Sequence, residues 1–75
     1  MDQFEFTPEG DGGDAEYALK NSRFYIQVAP YLAKPYMINE DRLATEGCVR
    51  YHGGYTTLAA AKQVVLKMHS QAKTV

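Results

Sequence analysis

A single cysteine, Cys48, and no tryptophan among 75 residues remove two common ways of holding a short chain together. One thiol cannot close an intrachain disulfide, and neither Cys48 nor the two histidines, His52 and His69, stand at the spacing of a structural zinc site. No metal and no cofactor are therefore expected. No apolar run is long enough for a signal peptide or a membrane span, so the default expectation is a small soluble intracellular protein, cytoplasmic, with no membrane partner. Cations are missing from the start. Residues 1–16 carry Asp2, Glu5, Glu9, Asp11, Asp14 and Glu16 with no Lys or Arg, while residues 17–75 carry all eight Lys and Arg against three carboxylates. The formal charge of -1 hides this polarity.

Seventy-five residues suffice for one small core, near the size at which only about 60% of the unfolded surface is buried. The one sustained helical period lies at Thr56 to about Lys73, where Leu58, Ala61, Val65, Met68 and Ala72 recur at intervals of three and four. An isolated helix of this length is marginal, so its order must come from packing its apolar stripe against the rest of the chain. Leu66 lies off that stripe and is read as widening the buried face, with a partner surface as the alternative. Thr56 or Thr57 is placed to cap the helix.

Upstream, the period switches to two. Phe4 and Phe6 alternate with polar residues over 3–7, which reads as an edge strand; Phe24, Ile26 and Val28 alternate with Tyr25, Gln27 and Ala29, placing the first set toward the core. Between them, the proline, three glycines and carboxylates of residues 8–14 read as a flexible loop, and EYALK at 16–20 as one helical turn. Pro30 and Pro35 interrupt regular structure. Tyr36–Ile38 reads as a short strand, Asn39 to Asp41 as a turn or cap for a helical turn ending by Gly47, and 47–52 as a further strand with Val49 and Tyr51 inward. Gly53-Gly54 then allows an abrupt change of direction. The expected fold is α+β: a small antiparallel sheet of three or four strands packed against one C-terminal helix. The expected organisation is an acidic N-terminal arm over 1–16 and a compact domain over 17–75.

Catalytic patterns are weak, and no enzyme is expected. Cys48 and His52 share strand parity but lack the orienting group and oxyanion donors that nucleophilic catalysis needs, and Cys48 is read as a buried or half-buried thiol. The carboxylates of 8–14 do not follow the ligand series of a calcium loop, and HGGYTTLAAAK lacks the closing Lys-Ser/Thr of a phosphate loop.

Binding is the better reading. Six tyrosines exceed what a small core absorbs, and tyrosine is favoured at interface hot spots. Asp11, Asp14, Glu16, Tyr25, Tyr31 and Tyr55 are the candidates for a protein-binding surface. The expected function is a non-catalytic interaction module, an inhibitor or modulator that blocks a partner's surface with help from the acidic arm. Viral, mobile-element and cellular proteins all use such modules. The first alternative is nucleic-acid or anion binding by Arg23, Arg50, His52 and Lys62, with tyrosines on the sheet stacking on bases and backbone amides at the helix start holding phosphate. The second is a homodimeric structural module, in which a second copy covers spare apolar surface.

Overall fold

The computed structural model describes residues 3–10 and 14–73, with side chains as far as Gln71. Five strands form one antiparallel sheet in chain order: β1 (Phe4–Thr7), β2 (Glu16–Leu19), β3 (Phe24–Val28), β4 (Tyr36–Arg42) and β5 (Cys48–Tyr55). A single helical turn, α1 (Leu43–Glu46), joins β4 to β5, and the long helix α2 (Leu58–Lys73) ends the described chain. The α+β class and the C-terminal helix agree with the sequence reading, with one more strand than its upper count.

The additional strand is β2. Its residues EYAL are too few to show a period, and they were expected to form a helical turn. An antiparallel neighbour on each side supplies the hydrogen bonds that one turn would leave unmade: Tyr17 is opposite Phe6 on one side and Ile26 on the other. The turn into β3 is held by Ser22, whose Oγ donates to the Leu19 carbonyl at 2.9 Å and accepts from the Phe24 amide at 3.1 Å. β1 is the expected edge strand, and it belongs to the same sheet as the rest of the chain.

Helix α2 lies against β3, β4 and β5 on one face of the sheet. Ala61 and Val65, fully buried, meet Ile26 and Ile38, with Phe4, Leu19 and Phe24 completing the core. Leu58, Val64 and Met68 pack at its border. Ala61, small and fully buried, lets the helix approach closely, and Thr57 Oγ1 accepts from the Ala60 amide at 3.3 Å in the first turn. Leu66, 37% exposed, lies outside the core, so the expected widening of the buried face at Leu66 is not seen; Val64 is the residue that widens it. The side chain of Ala72 lies outside the described residues.

Two corrections concern β4 and β5. Asn39, Glu40 and Asp41 extend the strand where a turn was expected, because each has a partner on β3 or β5. The helical turn follows them, with Asp41 Oδ1 accepting from the Leu43 amide at 3.0 Å and Gly47 ending it in the left-handed region. β5 runs on through both glycines instead of turning at them. His52 and Gly53 together oppose Ile38, a bulge for which Gly53 supplies φ 111°. At Gly54 a Cβ would come within 3.1 Å of Lys34 Cβ, so the 30–34 loop closes against the strand there.

The register also inverts the expected faces of β5. Arg50 is opposite Glu40 and therefore on the helix side with Cys48, while Val49 and Tyr51 are opposite Asp41 and Asn39 on the far face. Val49 is 42% and Tyr51 60% exposed, and Cys48 is exposed and not buried.

Ile38→Ala should lower unfolding free energy by about 2–5 kcal/mol, and Val65→Asp should unfold the domain, whereas Leu66→Ser should stay within about 0.5 kcal/mol of wild type. Chemical denaturation of the three variants checks this ranking. Deleting residues 1–7 removes the buried Phe4 and bares β2, so it too should destabilise the fold.

Candidate binding surface and charge network

With one helix for two sheet faces, the face opposite α2 is bare among the described residues apart from the corner at Gly54. Register places its side chains in cross-strand rows. One row runs Glu5, Ala18, Tyr25, Asn39, Tyr51 across all five strands; the next runs Thr7, Glu16, Gln27, Met37, Gly54. Asn39 sits between the two tyrosines and is only 8% exposed. Its amide donates to Gln27 Oε1 at 3.2 Å, and Gln27 Nε2 in turn donates to Asp14 Oδ2 at 2.9 Å. A chain of polar groups thus ties the centre of the face to the loop before β2.

Carboxylates are the charges nearest the centre of this face. Burial raises the Tyr25 phenol above its ordinary value, and the nearby charges of Glu16 and Asp41 raise it further, so the hydroxyl keeps its proton and can donate. Asp14, Glu16, Asp41 and Glu5 lie on or beside the rows, while Arg23 stands at one corner lining a shallow hollow with Asp41 and Leu43.

A second cluster occupies the helix side, at the end of the sheet beyond the apolar core. Glu40, 5% exposed, accepts from His52 Nε2–H at 2.9 Å through one oxygen, and its other oxygen lies 3.0 Å from Arg42 Nε. The Nε–H is not aligned on that oxygen, so the second contact is ionic and not a formed hydrogen bond. Arg42 also pairs with Glu46, and Arg50 Nη2 donates to Glu46 Oε1 at 3.4 Å. Burial by itself would raise the Glu40 pKa; the His52 and Arg42 contacts outweigh it and hold the carboxyl below its usual range. Hydrogen bonding from Arg42 likewise lowers Glu46. His52 and His69 flank the Phe24 ring at 6.0 and 6.4 Å between centroids, and a cleft of about 600 Å³ runs past Phe24, Glu40, Arg42 and His69.

The candidate residues are thus dispersed. Tyr25, Glu16 and Asp14 meet on or beside the bare face; Tyr31 is exposed in the 30–34 loop; Tyr55 packs against the core on the helix side; Asp11 lies outside the described residues. Among the cation candidates, Arg50 turns to Glu46, His52 to Glu40, and Lys62 Nζ lies 5.2 Å from the centres of the Phe4 and Tyr17 rings. They do not converge on the helix start. No group of three or more metal-ligating side chains is found among the described residues, and no helix among them is long and apolar enough to cross a membrane.

Asn39, Glu40, Asp41 and Tyr51 were missed as site residues. The polar run Asn-Glu-Asp carries the composition of a turn, which masked its alternation. The opposite charges of Glu40 and Arg50 were the available signal for the pairing of β4 with β5. No family model matches the chain, and neither a curated protein nor a solved structure matches it.

The lowered Glu40 pKa sets a sign for acid stability. The stabilisation is fully present above the unfolded value near 4.5 and is lost as pH falls through the lower folded value. Glu40→Gln should cost about 1–3 kcal/mol at pH 7. It should also flatten the loss of stability below pH 4.5, as read by denaturant unfolding across pH.

Proposed function

We propose that the protein is a small non-catalytic interaction module that docks its bare sheet face on a basic surface of a partner protein. The observation supporting this is the row Tyr25–Asn39–Tyr51 with Glu16, Asp41 and Asp14 around it. A flat surface built on strands needs little reorganisation to bind, so less ordering entropy opposes association. Tyrosine adds broad contact area through two torsions and a hydroxyl, and the carboxylates attract Lys or Arg and speed encounter. Blocking or modulation follows from occupation of the partner's surface. Among the described residues, no group on this face is arranged as a nucleophile with its base.

Charge separates this reading from nucleic-acid binding. Phosphate would meet carboxylates on the bare face, and on the opposite side Arg42 and Arg50 are held in internal ion pairs and Lys62 lies over aromatic rings, which leaves Lys67 as an exposed cation of the helix.

A pull-down from the native host, split with and without nuclease, tests the proposal when run with two charge variants. Asp41→Asn with Glu16→Gln keeps both side-chain shapes and removes two charges from the bare face; Lys62→Gln with Lys67→Gln does the same on the helix. The expected result is a salt-sensitive protein partner, retained after nuclease and by the helix variant, and weakened about tenfold or more by the sheet variant. Capture that nuclease abolishes, or that only the helix variant loses, would overturn the proposal in favour of nucleic acid.

A further inference from the structure

The two edges of the sheet differ. β1 is four residues long, carries Glu5 and is followed by Pro8, features that blunt an edge against further pairing. β5 has eight residues and no proline, and no described element lies along its outer side. Every residue from Leu43 to Tyr51 is exposed. Cys48 to Tyr51 pair one-to-one with β4, so the strand stays regular until the bulge at His52 and Gly53. Its outer amides and carbonyls in that stretch form a ready template for another strand. Arg50 is the one full charge in β5, and Glu46 of the same chain, which also pairs with Arg42, lies 3.4 Å from it.

We propose that β5 pairs antiparallel with β5 of a second copy, about a two-fold axis at Arg50, joining the two five-stranded sheets into one. The choice of a second copy rests on self-complementarity. About that axis Val49 faces Tyr51 of the second copy twice over. Each is an aromatic and β-branched pair at a cross-strand distance of about 5 Å, on the bare face where both side chains are otherwise exposed. On the helix side Cys48 faces His52 of the second copy, and the two Arg50 side chains meet at the axis, each held by its own Glu46. An axis at Val49 would pair the two valines but leave each Tyr51 opposite Gly47, and an axis at Tyr51 would pair the two tyrosines but leave each Val49 opposite Gly53. The axis at Arg50 gives all four side chains a partner. The axis is perpendicular to the sheet, so both α2 helices fall on one side and both bare faces on the other. The inference is independent of what the bare face binds.

Cys48, the single thiol and an exposed one, reports the register directly. In the dimer the two Cys48 Cα atoms are separated by four residues of rise and one strand spacing, about 14 Å. That distance is too long for a disulfide but short enough for dipolar broadening between nitroxide labels. Full-length protein is followed by sedimentation velocity over a range of concentrations, as wild type and as Val49→Lys, with circular dichroism monitoring the fold. Expected is a concentration-dependent dimer that oxidation does not cross-link, broadened spectra from labelled Cys48, and dimerisation weakened at least about tenfold by Val49→Lys. A monomer at every concentration overturns the proposal. So does a dimer without broadening, or one that a folded Val49→Lys leaves unchanged. If Val49→Lys fails to fold, the label on otherwise wild-type protein decides alone: broadening supports the β5 pairing and its absence refutes it.

Discussion

The fold depends on one contact: Ala61 and Val65 of α2 seated on Ile26 and Ile38 in the middle of the sheet. A sheet has two faces, and the described residues form one long helix. Fully burying an aliphatic side chain is worth about 1.5–3 kcal/mol, so the few buried at this seat supply a large share of what a domain of this size can gather. The opposite face must then be stable against water by its own composition. Alternation achieves this, because each strand that sends Phe, Ile or Leu to the helix sends Glu, Gln, Asn or Tyr the other way. The bare face is a consequence of the core, and its polar chemistry follows from having no cover.

The helix also sets where the ionic network can exist. It covers the middle strands but not the end of the sheet where Glu40, Arg42 and Arg50 lie. A carboxylate with 5% exposure is costly to ionise unless it is paired and hydrogen-bonded, and Glu40 has His52 on one oxygen and Arg42 beside the other. Phe24 closes the apolar side of this cluster by lying between His52 and His69. The network therefore caps the core at the point where apolar cover runs out. Its geometry joins β4, α1 and β5, which fixes the short connection as well as the charge.

These same facts explain what was legible in the sequence. The helix and β3 were readable because their periods are long enough, or apolar enough, to exclude other arrangements. β2 was not: four residues fit a turn of helix as easily as a strand, and only neighbours on both sides decide. The faces of β5 were misread because alternation assigns the apolar set, Val49 and Tyr51, to the interior. That rule assumes an apolar interior on offer. Here the helix side of this end is ionic, and placing His52 on Glu40 and Arg50 beside Glu46 outweighs hiding a valine and a tyrosine that remain half in water. The bare-face rows were invisible for a related reason, since they join residues from five strands and exist only through register.

Register is in turn where the polar chain on the bare face does its part. A slip of one residue between β3 and β4 would send Ile26 and Ile38 to opposite faces, a loss that the apolar core strongly opposes. A slip of two preserves the faces and is opposed far less by the core. It would, however, separate Asn39 from Gln27 and leave buried amide groups without partners, at about 1–3 kcal/mol each. The apolar face thus selects parity, and the Asp14–Gln27–Asn39 chain selects among the registers that parity allows. Because Asn39 stands between Tyr25 and Tyr51 in its row, the group that fixes the pairing of the strands also fixes the register of the two tyrosines.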